Sequence, residues 1–217
     1  MAPDTALWKE ALREFEDWVK WRDVATTQAE SEQLLPLFLD FCNITPPILD
    51  VGCGNGDFGA ATGWSQYVGI DPLIRGQRSF PRIRGVSEQL PFKSNSFATV
   101  VALASLDHLA NPDEAMREIR RVMASDGALF IWQDVRRTDA RFRFGRVLAY
   151  LRVKDISGLF RSLSSNMKAL TGQHAEDGYG HTVHFTDASL TALVRRYFYV
   201  GRTRMIGREM FLECRAG

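Results

Sequence analysis

The segment ILDVGCGNGDFG, residues 48–59, constrains this 217-residue chain more than any other. An apolar run of strand type ends in a cluster of glycines, and a short helical stretch follows. Glycine reaches positive φ without a Cβ clash and lets backbone approach a ligand closely. The helix behind the turn offers free N–H groups. A strand–turn–helix unit of this kind calls for a parallel sheet with helices packed on its faces.

The rest of the chain agrees with that reading. Residues 66–71 (QYVGID), 82–86 (RIRGV), 97–103 (FATVVAL) and 128–134 (ALFIWQD) read as strands two to five. Residues 111–124 predict a helix, with Asn111 as cap, Pro112 at the first position and acids in the first turn. Ile119, Val122 and Met123 are its apolar side, and Ser125-Asp126-Gly127 closes it. Thr186 is expected to cap a helix over 187–197. Two strand-like runs, 198–205 and 209–214, then form a closing antiparallel hairpin through Ile206-Gly207-Arg208. Upstream, Trp8, Leu12, Phe15 and Val19 recur at helical spacing within residues 1–22, where Asp4 or Thr5 is the cap. A second helix is expected at about 28–42, with Pro36 able to kink it, before Pro46-Pro47 stops it. No linker divides the chain, so one domain is expected. It comprises N-terminal helices (1–45), a core (46–134), a basic helical insertion (135–185) and a closing helix and hairpin (186–217).

Lys plus Arg number 27 and Asp plus Glu 26, a net charge of +1, which excludes a uniformly basic nucleic-acid binder. The charge is nevertheless uneven. Residues 1–135 carry 12 basic and 19 acidic side chains, whereas 136–168 carry 9 and 2. Phe144, Val147, Leu148 and Leu151 mark one amphipathic helix in that basic segment, and Ile156, Leu159, Phe160 and Leu163 a second. It suits an anionic membrane surface, an acidic acceptor or an ordinary helical cover with a solvated arginine face. The three cysteines, Cys42, Cys53 and Cys214, are scattered and form no CxxC, which predicts a reduced, cytoplasmic chain and no metal site. No apolar run reaches the roughly 18 residues of a membrane span, and the charged N-terminus lacks the signal-peptide pattern.

An acidic residue some 20 positions after a glycine loop, at the end of the next strand, suits the two hydroxyls of a ribose. Asp71 stands there. Gly54, Gly56 and Gly59 match the dinucleotide pattern GxGxxG. Asp50, however, lies inside the strand just before the loop, and an extra carboxylate there suits a cationic ligand better than a pyrophosphate. S-adenosylmethionine, with an amino group and a sulfonium, is the better candidate.

ILDVGCGNG, then VGIDP, then EQLPFKSNSFATVVALASLDHLANPDEAMREIRRVMASDGALFIW resemble the class I S-adenosylmethionine-dependent methyltransferases, most closely the methyltransferase type 11 family, over residues 46–134. The resemblance implies a Rossmann-like α/β fold with helices on both faces of a seven-stranded, mostly parallel sheet whose last strand is antiparallel. It implies that Gly52, Cys53, Gly54 and Gly56 line the methionine part of the cofactor and that Asp50 orients its amino end. Asp71 would hold the ribose diol, with Pro72 and Leu73 near the adenine. Ser87 and Glu88 fall in the loop expected beside the adenine amino group, and Ala104 and Ser105 end strand four beneath the cofactor. His108 stands where the family often has histidine, and with Asp107 it is a candidate to take a proton from an acceptor. The family often has Asp-Ala where this chain has Val86-Ser87, SFD where it has Phe97-Ala98 preceded by Ser96, and Gly-Gly where it has Asp126-Gly127.

Trp8, Trp18 and Trp21 are candidates for a lid, and His181 or His184 for an acceptor contact; packing and loop positions are the plainer readings. The expected activity is methyl transfer to a small-molecule, acidic or lipid-like acceptor by direct in-line displacement. RNA or protein methylation and a non-catalytic partner subunit of the same fold are the alternatives. Strand four is followed by Ala104-Ser105-Leu106-Asp107 rather than an Asn-Pro-Pro-Tyr tetrapeptide, which weighs against nucleic acid.

Overall fold

A computed structural model describes residues 34–63, 65–74, 78–135 and 183–217. The expected helix at 1–22, residues 28–33 of the second helix, the basic segment, the tryptophans Trp8, Trp18 and Trp21, and His181 lie outside the described residues. The described residues belong to one compact unit, built from 1–136 and 179–217.

The chain enters through helical residues 34–41 (α1). Strand β1 (Ile48–Val51), helix α2 (Asp57–Thr62), β2 (Tyr67–Asp71), β3 (Arg82–Arg84) and β4 (Phe97–Leu103) follow. After a 3₁₀ turn (Leu106–His108) come α3 (Pro112–Val122), β5 (Met123–Asp134), α4 (Asp187–Arg195), β6 (Phe198–Ile206) and β7 (Glu209–Ala216). The seven strands lie in the order β3-β2-β1-β4-β5-β7-β6. The first five are parallel, and β7 runs antiparallel to both of its neighbours.

Alternate residues of each strand face opposite sides, and each side has its own core. Leu49, Val100, Leu129, Ile131 and Leu212 pack with Met116 and Ile119 of α3 and with Leu190 and Val194 of α4. Ile48, Val101, Phe130, Trp132 and Phe211 pack with Phe38 of α1 and Phe58 of α2. Phe38 meets Phe211 edge-on at 5.1 Å and Trp132 at 5.7 Å, so α1 is seated by aromatic contacts. Arg202 of β6 adds a hydrogen bond of 2.7 Å to the Phe41 carbonyl.

Several boundaries differ from the expected ones. β3 pairs for three residues only, through Gly69↔Arg82 to Asp71↔Arg84. The chain leaves α3 at Met123, which adopts an extended conformation, rather than continuing to the Ser125-Asp126-Gly127 turn. Met123 already pairs with Phe97, and the next partners are Thr99 and Ala128. Residues 124–127 therefore bulge from a strand that begins five residues earlier than expected. The hairpin closes through two residues, Gly207-Arg208, because Ile206 pairs directly with Glu209. Gly207 supplies the positive φ of 62° that such a loop requires. Among the described residues, no helix is long and apolar enough to cross a membrane.

Candidate cofactor and active site

The chain proceeds outward from β1 to β2 and β3, then crosses back to β4 on the other flank of β1. At such a reversal the loops leaving the carboxyl ends of neighbouring strands part in opposite directions and leave a crevice. The loop after β1, Asp71 at the end of β2 and the turn after β4 all lie at this edge.

Gly52, Gly54 and Gly56 have φ of 74°, 50° and 76°, a region costly for any residue with a Cβ. Their reasons differ. A Cβ on Gly52 would stand 2.3 Å from the Ser105 Cβ, so this glycine lets the β1 and β4 loops touch. A Cβ on Gly54 would meet nothing within 4 Å, so the Cα faces open space. Gly59, the third glycine of the pattern, lies under the Tyr67 ring, 2.6 Å from where its Cβ would be. Cys53 is buried, and burial pushes its thiol well above the usual range.

Asp71 fastens this loop. Its Oδ2 accepts from the Gly54 N–H at 2.8 Å and its Oδ1 from the Leu73 N–H at 2.8 Å. Burial raises its pKa, against the pull of these two bonds and of nearby His108 and Arg82. Pro72 and Leu73 form the turn that follows. Asp50 is 1% exposed and accepts a short hydrogen bond from the Tyr67 hydroxyl. Burial pushes its pKa up to about 7; the Tyr67 bond lowers it and the Asp71 charge adds to the rise. Two carboxylates thus share one face beneath the glycine loop.

The other expected residues fall into two groups. Ser105 donates to the Val51 carbonyl at 3.0 Å and ties the end of β4 to the end of β1. Ala104 takes a left-handed conformation with φ of 46° while its N–H reaches the Trp132 carbonyl at 2.6 Å. A non-glycine residue in this region costs about 1–3 kcal/mol and clusters at functional sites. Asp107 is buried, its carbonyl accepts from Val183, and its carboxylate stands 3.8 Å from His108 Nε2. His108 is about one-third exposed and lies near enough to Asp71 to favour its ionised form. Ser87 and Glu88 are both buried. The Ser87 hydroxyl donates to Glu88 at 3.2 Å, and Glu88 accepts from the Ala110 and Asn111 N–H groups at 3.0 and 3.2 Å. In the fold, Glu88 therefore joins its own loop to the start of α3. His184 is half-buried before α4.

Two residues of this region escaped the sequence reading. Gln133 is fully buried and its Oε1 accepts from the Leu106 N–H at 3.2 Å, which supports the turn that carries Asp107 and His108. Tyr67 is the second. It stands four residues before Asp71 and so shares its face of β2, which is the signal that could have found it.

A methyltransferase-domain family model matches residues 49–131, from β1 into β5. The methyltransferase YcgJ of Bacillus subtilis is 29% identical over 120 residues, 48% of this chain and 47% of that protein. The chain spans about half the length of the curated relatives it matches. The 1,6-didemethyltoxoflavin-N1-methyltransferase of Burkholderia thailandensis, solved with 1,6-didemethyltoxoflavin and S-adenosylhomocysteine, is 14% identical with a TM-score of 0.65; the match covers 100% of this chain and 91% of that one. An S-adenosylmethionine-dependent methyltransferase of Thermotoga maritima is 17% identical with a TM-score of 0.59, over 92% of this chain and 99% of that one. Residues 49–131 thus match the methyltransferase-domain family, and the seven-stranded fold is shared with solved S-adenosylmethionine-dependent methyltransferases.

Proposed function

We propose that the protein transfers a methyl group from S-adenosylmethionine to a small-molecule acceptor held over the carboxyl ends of β4 and β5. One observation carries the reading. The open Cα of Gly54, the Asp71 carboxylate and the Asp50 carboxylate are gathered at the sheet's reversal point. The donor set suits a ligand that is cationic at one end and carries a diol at the other. A dinucleotide would bring its pyrophosphate toward two carboxylates. At a separation of about 5 Å and an effective dielectric of about 20, each unit-charge pair is worth about 3 kcal/mol, repulsive for a phosphate and attractive for an ammonium or sulfonium.

In this reading the backbone of Gly52, Cys53, Gly54 and Gly56 lines the methionine end and Asp50 receives its amino group. Asp71 holds the ribose diol, with Pro72 and Leu73 beside the adenine and Ser87 and Glu88 at its edge. Ala104 and Ser105 form the floor. Bound there, S-adenosylmethionine supplies a sulfonium methyl whose C–S bond breaks, the electron pair staying on sulfur, as an in-line acceptor lone pair forms the new bond. The chain's part is positioning, and holding two reactants in line can supply about 7–11 kcal/mol of the barrier. His108, beside Asp107, takes the proton that a hydroxyl or amine acceptor releases.

Asp71→Ala tests the cofactor site. A hydrogen bond to a charged group is worth about 1.5–3 kcal/mol, so calorimetry should show S-adenosylmethionine affinity reduced by about 10- to 150-fold. Unchanged affinity would refute the role of Asp71.

A further inference from the structure

Asp50 is the most deeply buried carboxylate of the site, and its surroundings come from three segments. From β2, the Tyr67 hydroxyl donates to its Oδ2 and the Asp71 carboxylate faces the same side. From the glycine loop, the Cys53 thiol lies close enough for Asp50 to raise its pKa. From β3, Arg82 reaches toward the loop and donates to the Gly54 carbonyl at 3.3 Å. The partner across β4, Val101, is apolar. Among the described residues, then, the hydrogen bond that Asp50 accepts comes from Tyr67.

The Tyr67 ring is itself held on several sides. Phe80 packs edge-on at 4.8 Å and Phe58 lies at 6.4 Å. Gly59 of α2 is so close beneath the ring that a methyl group there would overlap it. A hydroxyl on a ring packed this tightly points in one direction, and that direction is Oδ2 of Asp50. Burial and the adjacent carboxylate push the phenol's own pKa upward, so Tyr67 keeps its proton and donates it.

We propose that Tyr67 is a positioning residue of the cofactor site, holding Asp50 in the orientation in which its carboxylate receives the cationic end of the ligand. The inference rests on the methyltransferase reading and adds a proton to it. Asp50 titrates near neutral pH when no cation is present, at about 7. A bound ammonium or sulfonium favours the carboxylate over the carboxylic acid. Below that pH, binding therefore releases the Asp50 proton to solvent, and affinity weakens as pH falls. Without the hydroxyl the carboxylate loses the bond that favours its ionised form, and the same weakening begins at higher pH.

The test compares wild type, Tyr67→Phe and Asp50→Asn. S-adenosylmethionine affinity is measured by calorimetry from pH 5.5 to 9. Wild type should lose affinity below about pH 7. Tyr67→Phe should bind on the order of tenfold more weakly at pH 7 and recover toward wild type at pH 9. Asp50→Asn should bind weakly with no such pH dependence. A Tyr67→Phe profile that superimposes on wild type, or that is lowered equally at every pH, overturns the proposal.

Unfolding of the ligand-free proteins by urea over the same pH range separates this inference from the cofactor reading. A carboxyl whose folded pKa is raised contributes stability that is lost as pH climbs from its unfolded value toward its folded one. That loss should level off near pH 7 in wild type, run to higher pH in Tyr67→Phe and vanish in Asp50→Asn. If wild type binds no S-adenosylmethionine at any pH, the cofactor reading fails. The Tyr67–Asp50 coupling is then decided by the unfolding series, and parallel curves for wild type and Tyr67→Phe overturn it.

Discussion

Gly52 and Gly54 stand two residues apart in one loop and share a left-handed backbone, yet they answer to different demands. Gly52 makes room for Ser105, whereas Gly54 faces open space, which the proposed function gives to the ligand. Gly52→Ala adds backbone strain of about 1–2 kcal/mol and an overpacking cost of about 1–3 kcal/mol. Its urea midpoint should fall accordingly. Gly54→Ala carries the strain alone, so it should keep most of its stability and still lose S-adenosylmethionine affinity. Equal stability losses in both variants, with binding retained in Gly54→Ala, would reverse these assignments. The glycine spacing was enough to locate the loop. Which glycine serves packing was not, because the colliding atom belongs to Ser105, 53 positions further along the chain. Tyr67 was passed over for a related reason. Aromatic residues in strands are usually core, and only its pairing with Asp50 sets it apart.

Helix α3 shows which element signals carry through. Asn111 was legible as its cap, and its Oδ1 accepts from the Glu114 N–H at 3.2 Å. Asn111→Ala should cost about 1 kcal/mol, which for a domain of this size lowers the melting temperature by about 2–4 °C. Calorimetric scanning checks this, and an unchanged melting temperature would show that the Glu88 contacts to Ala110 and Asn111 hold the helix start alone. The far end was misread because Ser125-Asp126-Gly127 has the composition of a helix stop. Sheet pairing overrides it, since Met123 is claimed by Phe97 before the turn begins. The cap at Thr186 and the closing hairpin involve only near neighbours in sequence, and both were legible, although the hairpin's turn is one residue shorter than expected. The carboxylate of Glu88 is a contrary case. Its partners lie 22 and 23 residues away, across the β4 strand, so its structural part could not be read from its own loop.

At the scale of the molecule, the strand order follows from the alternation of strands and helices, and the position of the site follows from the strand order. Reversal beside β1 brings the loop at Gly52, the end of β2 at Asp71 and the turn at Ser105 to one edge. A buried carboxylate, Asp50, and a half-buried one, Asp71, stand at that edge in a chain of net charge +1, and in the proposed function they select a cationic ligand. The acceptor is the less legible half, because residues 1–30 and 135–185, which the sequence reading assigns to it, carry no recurring pattern. The central claim is that this edge takes a cationic nucleoside. Parallel calorimetric titrations of the protein with S-adenosylmethionine, S-adenosylhomocysteine and NAD test it most directly. The account predicts saturable binding of the first two and none of NAD; binding of NAD, or no binding of either nucleoside, would contradict it.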